Sequence, residues 1–326
     1  MKVRIVIVAA LGVALALYLV VFTGVSAVFS AAVAVGWNGF AVLCLYALGH
    51  FIVLGAGWHV LLPAEQGAGL WVFVRARMVR DAATEVLPFA QLGGIVLGAR
   101  AAILQGVEAP VAFASTLVDV TTELMAQIGF VALGLAIMSV RAPHTAYAAY
   151  LTTVSVLGLG IAVIAAGLFI ALQRNGQWMT GKLGARLLRG AGAAKVAVAA
   201  TFDTIYRSRT RVALSSATHL GAWIVGAVGV WICFRLIGTH IGLASVLAIE
   251  ALVCAARSAA VFVPNALGIQ EAAYAVLAPL FGVGAEFGLA VSLLKRARDV
   301  AVGVPVLLAW QAAEGRRVIV GRPNSQ

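Results

Sequence analysis

The sequence predicts an all-α fold: a polytopic helical bundle in a membrane, with about seven to nine crossings. Three observations carry this. Hydrophobic residues make up 63% of the 326-residue chain and charged ones only 11%, more apolar surface than a soluble domain of this size hides. The mean hydropathy is +1.03, and apolar runs of about 20 residues, enough helix to cross a bilayer, recur along the chain. The net charge of +11 gathers in short basic segments between those runs, the positive-inside pattern. That distribution argues for cytoplasmic loops and against nucleic acid as the partner. The 35 glycines suit close helix packing in lipid.

Lys2 and Arg4 precede the first span, residues 5–25, and place the N-terminus in the cytoplasm. A basic start and apolar core also suit a signal peptide. The core is long and no small-x-small cleavage site closes it, so the segment reads as a retained span. The uncharged loop to residue 38 suits the outer side. The second span, residues 40–62, holds His50 and His59, read as polar groups bonded within the bundle or near an interface. Residues 63–86 read as a cytoplasmic segment. Arg75, Arg77 and Arg80 alternate there with Asp81 and Glu85 beside Trp71 and Phe73, the pattern of an interface helix with snorkelling arginines that attracts anionic headgroups.

Pro88, Gly93 and Gly94 then break the chain, and residues 95–106, with Arg100, form a re-entrant or half-helix element. A third full span, residues 111–138, carries Asp119 and Glu123. Four apart, they share a helical face, and their mutual repulsion calls for cations, Arg100 being the expected partner. The pair reads either as a buried ion pair that orients helices or as part of a polar substrate or proton path. A short loop, residues 141–144, leads to the fourth span, residues 146–172. Residues 173–211 hold eight Lys or Arg against the single acid Asp203, which places this loop in the cytoplasm, with a surface helix over residues 190–200. The fifth span, residues 212–237, has Ser215, Ser216, Thr218 and His219 near its start; Trp223 and Trp231 read as packing or interface residues. The sixth, residues 241–263, contains Glu250 and Arg257, seven apart on one face.

The stretch Pro264-Asn265-Ala266-Leu267-Gly268-Ile269-Gln270-Glu271 follows this apolar run. Its Pro and Gly break a regular helix, and its carboxylate is costly in hydrocarbon, so it reads as a site inside the bundle. After Gly282, a final helical region, residues 286–310, is interrupted by Lys295-Arg296-Ala297-Arg298-Asp299. These charges form either a loop between two short crossings or part of one long helix facing a wet cavity. Arg316, Arg317 and Arg322 favour a cytoplasmic C-terminus.

A shift of 176 positions carries Pro88 onto Pro264, Gly106-Val107 onto Gly282-Val283, Ala109 onto Ala285 and Glu123 onto Asp299. The order of break, turn and charged helix repeats, suggesting related cores at 88–138 and 264–314 joined through the basic loop within one membrane domain. By charge count both breaks begin at the cytoplasmic side, which makes the repeats parallel; a different number of crossings in the last third reverses that.

Motifs for ATP, dinucleotide or zinc binding and for a serine nucleophile are missing. Cys44, Cys233 and Cys254 lie in apolar runs without metal spacing, and the five His do not cluster, so no metal or other cofactor is expected.

The paired segments Leu87-Pro88-Phe89-Ala90-Gln91-Leu92-Gly93-Gly94, continuing to Gly98-Ala99-Arg100, and Pro264 to Glu271 resemble those of the hopanoid-biosynthesis-associated membrane proteins, HpnL. These lie within the flippase-like superfamily that includes the transmembrane region of lysylphosphatidylglycerol synthases. Pro-x-x-Leu-Gly-x-x-Glu carries the superfamily likeness; Gln-Leu-Gly-Gly with Gly-Ala-Arg favours the hopanoid branch. Many relatives have Gly where this chain has Asn265, a residue that also tolerates turn geometry. The resemblance implies a multi-pass protein of the bacterial inner membrane that moves polar-headed lipid, hopanoids first or else anionic phospholipids, with lipid-biosynthesis or export proteins as partners. The synthases' aminoacyl transfer is not carried over, and no enzymatic activity is assigned. The expected path residues are Arg100, Asp119, Glu123, Glu250, Arg257, Asn265, Gln270, Glu271, Arg298 and Asp299. The alternatives are a noncatalytic scaffold for lipid modification and a headgroup-modifying enzyme.

Overall fold

A computed structural model describes Val33 and residues 35–63, 68–86, 91–141, 146–174, 192–260 and 263–320. The expected first span, Pro88, most of the short loop at 141–144 and much of the basic loop lie outside these residues. The described residues form ten α-helices: α1 (Gly36–Val60), α2 (Leu70–Val86), α3 (Gln91–Leu104), α4 (Ala109–Arg141), α5 (Ala146–Arg174), α6 (Gly192–Arg207), α7 (Arg209–Leu236), α8 (Leu243–Ala259), α9 (Ile269–Leu277) and α10 (Ala285–Val320). The fold is an all-α polytopic membrane bundle. Among the described residues α1, α4 and α7 are each long and apolar enough to span a bilayer. At 14 residues, α3 is about 21 Å long, short of the roughly 30 Å hydrocarbon thickness.

Two turns position the helices that carry the charges. Gly106 and Gly282 both take positive φ, +98° and +78°. Each ends its helix in the same way. Val107 N–H bonds the Ala102 carbonyl at 3.2 Å, and Val283 N–H bonds that of Ala278 at 3.2 Å. This is the Schellman closure, in which glycine meets the left-handed turn without a Cβ penalty. The next helices begin at Ala109 and Ala285.

Five contacts fix how the helices pass one another. A Cβ on Gly39 of α1 would meet Leu236 of α7 at 3.3 Å, and one on Gly57 would meet His219 at 2.8 Å, so α1 and α7 run antiparallel. On α4, Gly134 lies against Ala251 of α8, while Gln127 bonds Ser258 at 2.6 Å; this pair is antiparallel too. Gly303 of α10 lies against Ala82 and Val86 of α2. Small residues at these crossings let the backbones close up. The elements matched by the 176-residue shift, α1 with α7, therefore point in opposite directions.

One expectation changes, and one open alternative is decided in favour of the long helix. The segment 63–86 is no surface helix of snorkelling arginines: α2 is packed by α1, α3 and α10, and Arg77 and Arg80 are 2% and 6% exposed. The charged stretch at 295–299 is not a loop, because α10 runs unbroken through it as its charges find partners inside the bundle. The helix over 190–200 extends to Arg207 and buries Phe202 and Ile205 against the core around Trp58, Phe73 and Val118.

Candidate functional site

A cavity of about 520 Å³ opens between the helices, lined by α1, α2, α4, α7, α8 and α10, by Ile95 of α3 and by the break at Asn265 and Ala266. Its wall carries Arg77, Arg80, Arg257, Lys295 and Arg298 against Asp81, Glu85, Glu123, Glu250 and Asp299. Charge at this depth is costly unless paired and hydrogen-bonded. Three groups of bonds meet that demand.

The first group joins α2, α4 and α7. Asp119 is fully buried and accepts from Arg77 at 3.0 Å, from Arg80 at 2.7 Å and from His219 Nε2 at 2.8 Å. Both arginines also bond Glu123, and Arg77 Nε bonds Asp81 at 2.9 Å. The Asp119–Glu123 repulsion is thus compensated by two cations from α2. Arg100, the expected partner, is not among them. It projects outward from α3, with its side chain 48% exposed, and bonds Glu314 at 2.7 Å. The opposite face of α3 is the packed one. Gly94 and Gly98 lie directly against Thr84 and Arg80 there, which seats α2 and aims Arg80 across the cavity.

The second group joins α8, α9 and α10. Lys295 Nζ donates to Glu250 at 2.5 Å and to the Tyr274 hydroxyl at 2.8 Å, and that hydroxyl donates to Glu250. The third links α2 to α8. Arg257 Nη2 reaches both Glu85 oxygens, at 2.8 and 3.0 Å, and Asn265 Nδ2 donates to the Glu85 carbonyl at 2.6 Å. Arg298 donates to its neighbour Asp299 at 2.7 and 3.0 Å.

The broken stretch is held by its own polar groups. Asn265 and Ala266 take φ of 49° and 45° within a short 3-10 turn, Pro264–Ala266. Arg296 Nη2 approaches the carbonyls of both at 3.5 Å and also bonds Glu271. Glu271 in turn accepts from the Gly268 N–H at 2.9 Å, capping α9. Gln270 bonds the Ser292 hydroxyl at 2.9 Å.

Of the ten expected path residues, Glu123, Glu250, Arg257, Asn265, Arg298 and Asp299 line the cavity. Asp119 lies behind Glu123 in the first group, Gln270 and Glu271 hold the break, and Arg100 sits on the outer face of α3. Sequence reasoning missed Arg77, Arg80, Lys295, His219 and Tyr274 as members of these networks. One signal was present: two acids in the apolar helix α4 demand two buried cations, and the nearest basic pair in the chain is the one on α2.

The sequence profile of the lysylphosphatidylglycerol synthase TM region matches residues 6–306. No curated protein and no solved structure matches the chain.

Proposed function

The chain belongs to the lysylphosphatidylglycerol synthase TM region family, and from that premise we propose that it moves a polar-headed lipid through the membrane by way of the charged cavity. One observation carries the reading: a wall of five cationic and five anionic side chains surrounds empty space inside an otherwise apolar bundle. A headgroup crossing hydrocarbon needs replacement partners for water, and this wall supplies donors and acceptors while the lipid's apolar body stays against the bilayer. Trp223, also on the wall, adds a buried indole N–H with no acceptor among the described residues. The likeness to the hopanoid branch makes hopanoids the first cargo to test, and the basic segments suit a bacterial inner membrane with the N-terminus in the cytoplasm. We read the helices α1–α4 and α7–α10 as two related halves facing this space.

The test is a leaflet-accessibility assay in reconstituted vesicles with hopanoid and glycerophospholipid probes. The expected result is protein-dependent exchange that collapses in Glu85→Gln and Arg257→Gln proteins of normal yield. No exchange of any probe, with cavity variants as competent in vivo as the parent, overturns transport and leaves a scaffold.

A further inference from the structure

The cavity is the meeting place of counterparts. The 176-residue shift that aligns the turns also carries α1 (Gly36–Val60) to positions 212–236, inside α7 (Arg209–Leu236), and α4 to the start of α10. It carries Met78 onto Cys254, Asp81 onto Arg257 and Glu123 onto Asp299, and all six line the cavity. Packing obeys the same exchange. Gln127 of α4 meets Ser258 of α8, and their counterparts Gly303 of α10 and Ala82 of α2 meet as well.

His50 and Gly226 are counterparts, and they face each other: a Cβ on Gly226 would stand 3.5 Å from His50 Cε1. Two residues that exchange under a rotation while touching one another mark its axis. Since α1 and α7 are antiparallel, that axis lies across them, and the halves are related as inverted repeats. This is the architecture in which one central site serves both sides of a membrane.

The two halves are packed differently at their counterpart seams. The seam between α4 and α7 is sealed. Thr122 and Ser215 share a hydrogen bond of 2.9 Å, and Asp119 bonds His219. Phe130 is fully buried against Ala227 and Ala251 and stacks on Trp223 at 5.8 Å. The counterpart seam lies between α10 and α1. There Val306, Ala47 and Phe51 stand where Phe130, Trp223 and Ala227 stand opposite; all three line the cavity, whereas of the sealed three only Trp223 does.

We infer that the protein has a second state in which this asymmetry is exchanged: α10 closes on α1, the Phe130 seal opens, and the shared cavity faces the other side of the membrane. The inference deepens the lipid-transport reading by giving its site alternating access. Interfaces packed in two discrete ways convert small changes at a site into such rearrangements. A ligand drives the exchange by as much as it binds one arrangement better than the other.

Two cysteine locks test it, in protein whose Cys44, Cys233 and Cys254 are replaced. Phe130→Cys with Ala227→Cys holds the seam that is sealed here; Ala47→Cys with Val306→Cys holds the opposite one. Should Phe130→Cys fail to fold, Gly129→Cys with Leu220→Cys bridges the same seam, where a Cβ on Gly129 would lie 4.0 Å from Leu220. The reporter is Ser258→Cys, probed from each side of oriented vesicles with a membrane-impermeant maleimide. The expected result is labelling from one side in the first lock and from the other side in the second, with exchange of a fluorescent glycerophospholipid stopped in both and restored by reduction. Labelling from the same side in both locks, or failure of the Ala47–Val306 pair ever to bridge, overturns the inference. Lipid exchange that continues in both locks also overturns it while leaving transport standing. Side-switching without any lipid exchange upholds alternating access and removes the lipid reading.

Discussion

Glu85 at the end of α2 and Arg257 on α8 meet across the cavity, with one guanidinium nitrogen 2.8 and 3.0 Å from the two carboxylate oxygens. Their side chains are 29% and 27% exposed, whereas Asp119 and Arg77 in the neighbouring group are almost completely enclosed. This pair joins α2 to α8, and its partners are within reach of a ligand. The distinction between accessible and enclosed pairs orders the effects of substitution.

Glu85→Gln and Arg257→Gln are expected to impair transport without unfolding the protein. A partly exposed ion pair contributes no more than about 1 kcal/mol to stability. A cargo contact worth about 1.4 kcal/mol changes a rate or affinity about tenfold. Lipid exchange should fall by that order in each variant, while the yield of monodisperse protein stays near the parent's. The exchanged pair Glu85→Arg with Arg257→Glu should keep the parent's yield but not its exchange if the position of each charge matters to the headgroup. Full exchange in either single variant removes this pair from the path.

Asp119→Ala and Arg100→Ala should separate by their effect on stability. Removing Asp119 takes a fully buried carboxylate from Arg77 and Arg80, which keep Glu123, and leaves His219 without its partner. Breaking a buried pair costs about 3–5 kcal/mol. Arg100 loses only an outward-facing bond to Glu314, worth under about 1 kcal/mol after solvent screening. Thermal unfolding in detergent, followed by fluorescence size-exclusion, should show a large drop for Asp119→Ala and almost none for Arg100→Ala. Equal drops refute this ordering.

Asn265 provides a test of the backbone break. Its φ of 49° lies in the left-handed region, where Asn and Gly are tolerated and β-branched residues are strained. Asn265→Gly keeps the conformation and loses the bond to the Glu85 carbonyl; Asn265→Val loses both. The valine variant should therefore be the less stable by about 1–3 kcal/mol. Reversal of that order in a melting series means the turn is not held in this conformation.

The bundle was legible because hydrophobic length is a one-dimensional signal. The spans over α1, α4, α5 and α7 were expected within a few residues of their observed bounds. What could not be read was which charges meet. Asp119 and Glu123 declared a need for cations, but Arg77 and Arg80 looked like headgroup anchors, since the four-residue steps from Arg77 to Asp81 to Glu85 suit a solvated face equally well. Their burial follows from Gly94 and Gly98 on the next helix, and glycine spacing alone does not name the partner it admits. The relative direction of the helices was hidden for a related reason: it is decided by contacts such as Gly39 with Leu236.

Those two glycines give the last prediction. A Cβ on Gly94 would stand 2.3 Å from Thr84 Oγ1 and 2.8 Å from the Arg80 carbonyl oxygen; one on Gly98 would stand 2.9 Å from Arg80 Cβ. Neither space exists, so Gly94→Ala and Gly98→Ala must push α3 away from α2. Overpacking of this kind typically costs about 1–3 kcal/mol. The displacement falls on the residue that bridges Asp119 and Glu123, so stability and lipid exchange should decline together. Thr84→Ala removes the nearer obstacle to Gly94→Ala but leaves the backbone carbonyl in place. The double variant should therefore recover part of the melting temperature and not all of it. Complete recovery would assign the clash to the Thr84 hydroxyl alone, and no loss in Gly94→Ala would mean that α3 does not rest on α2 at this point.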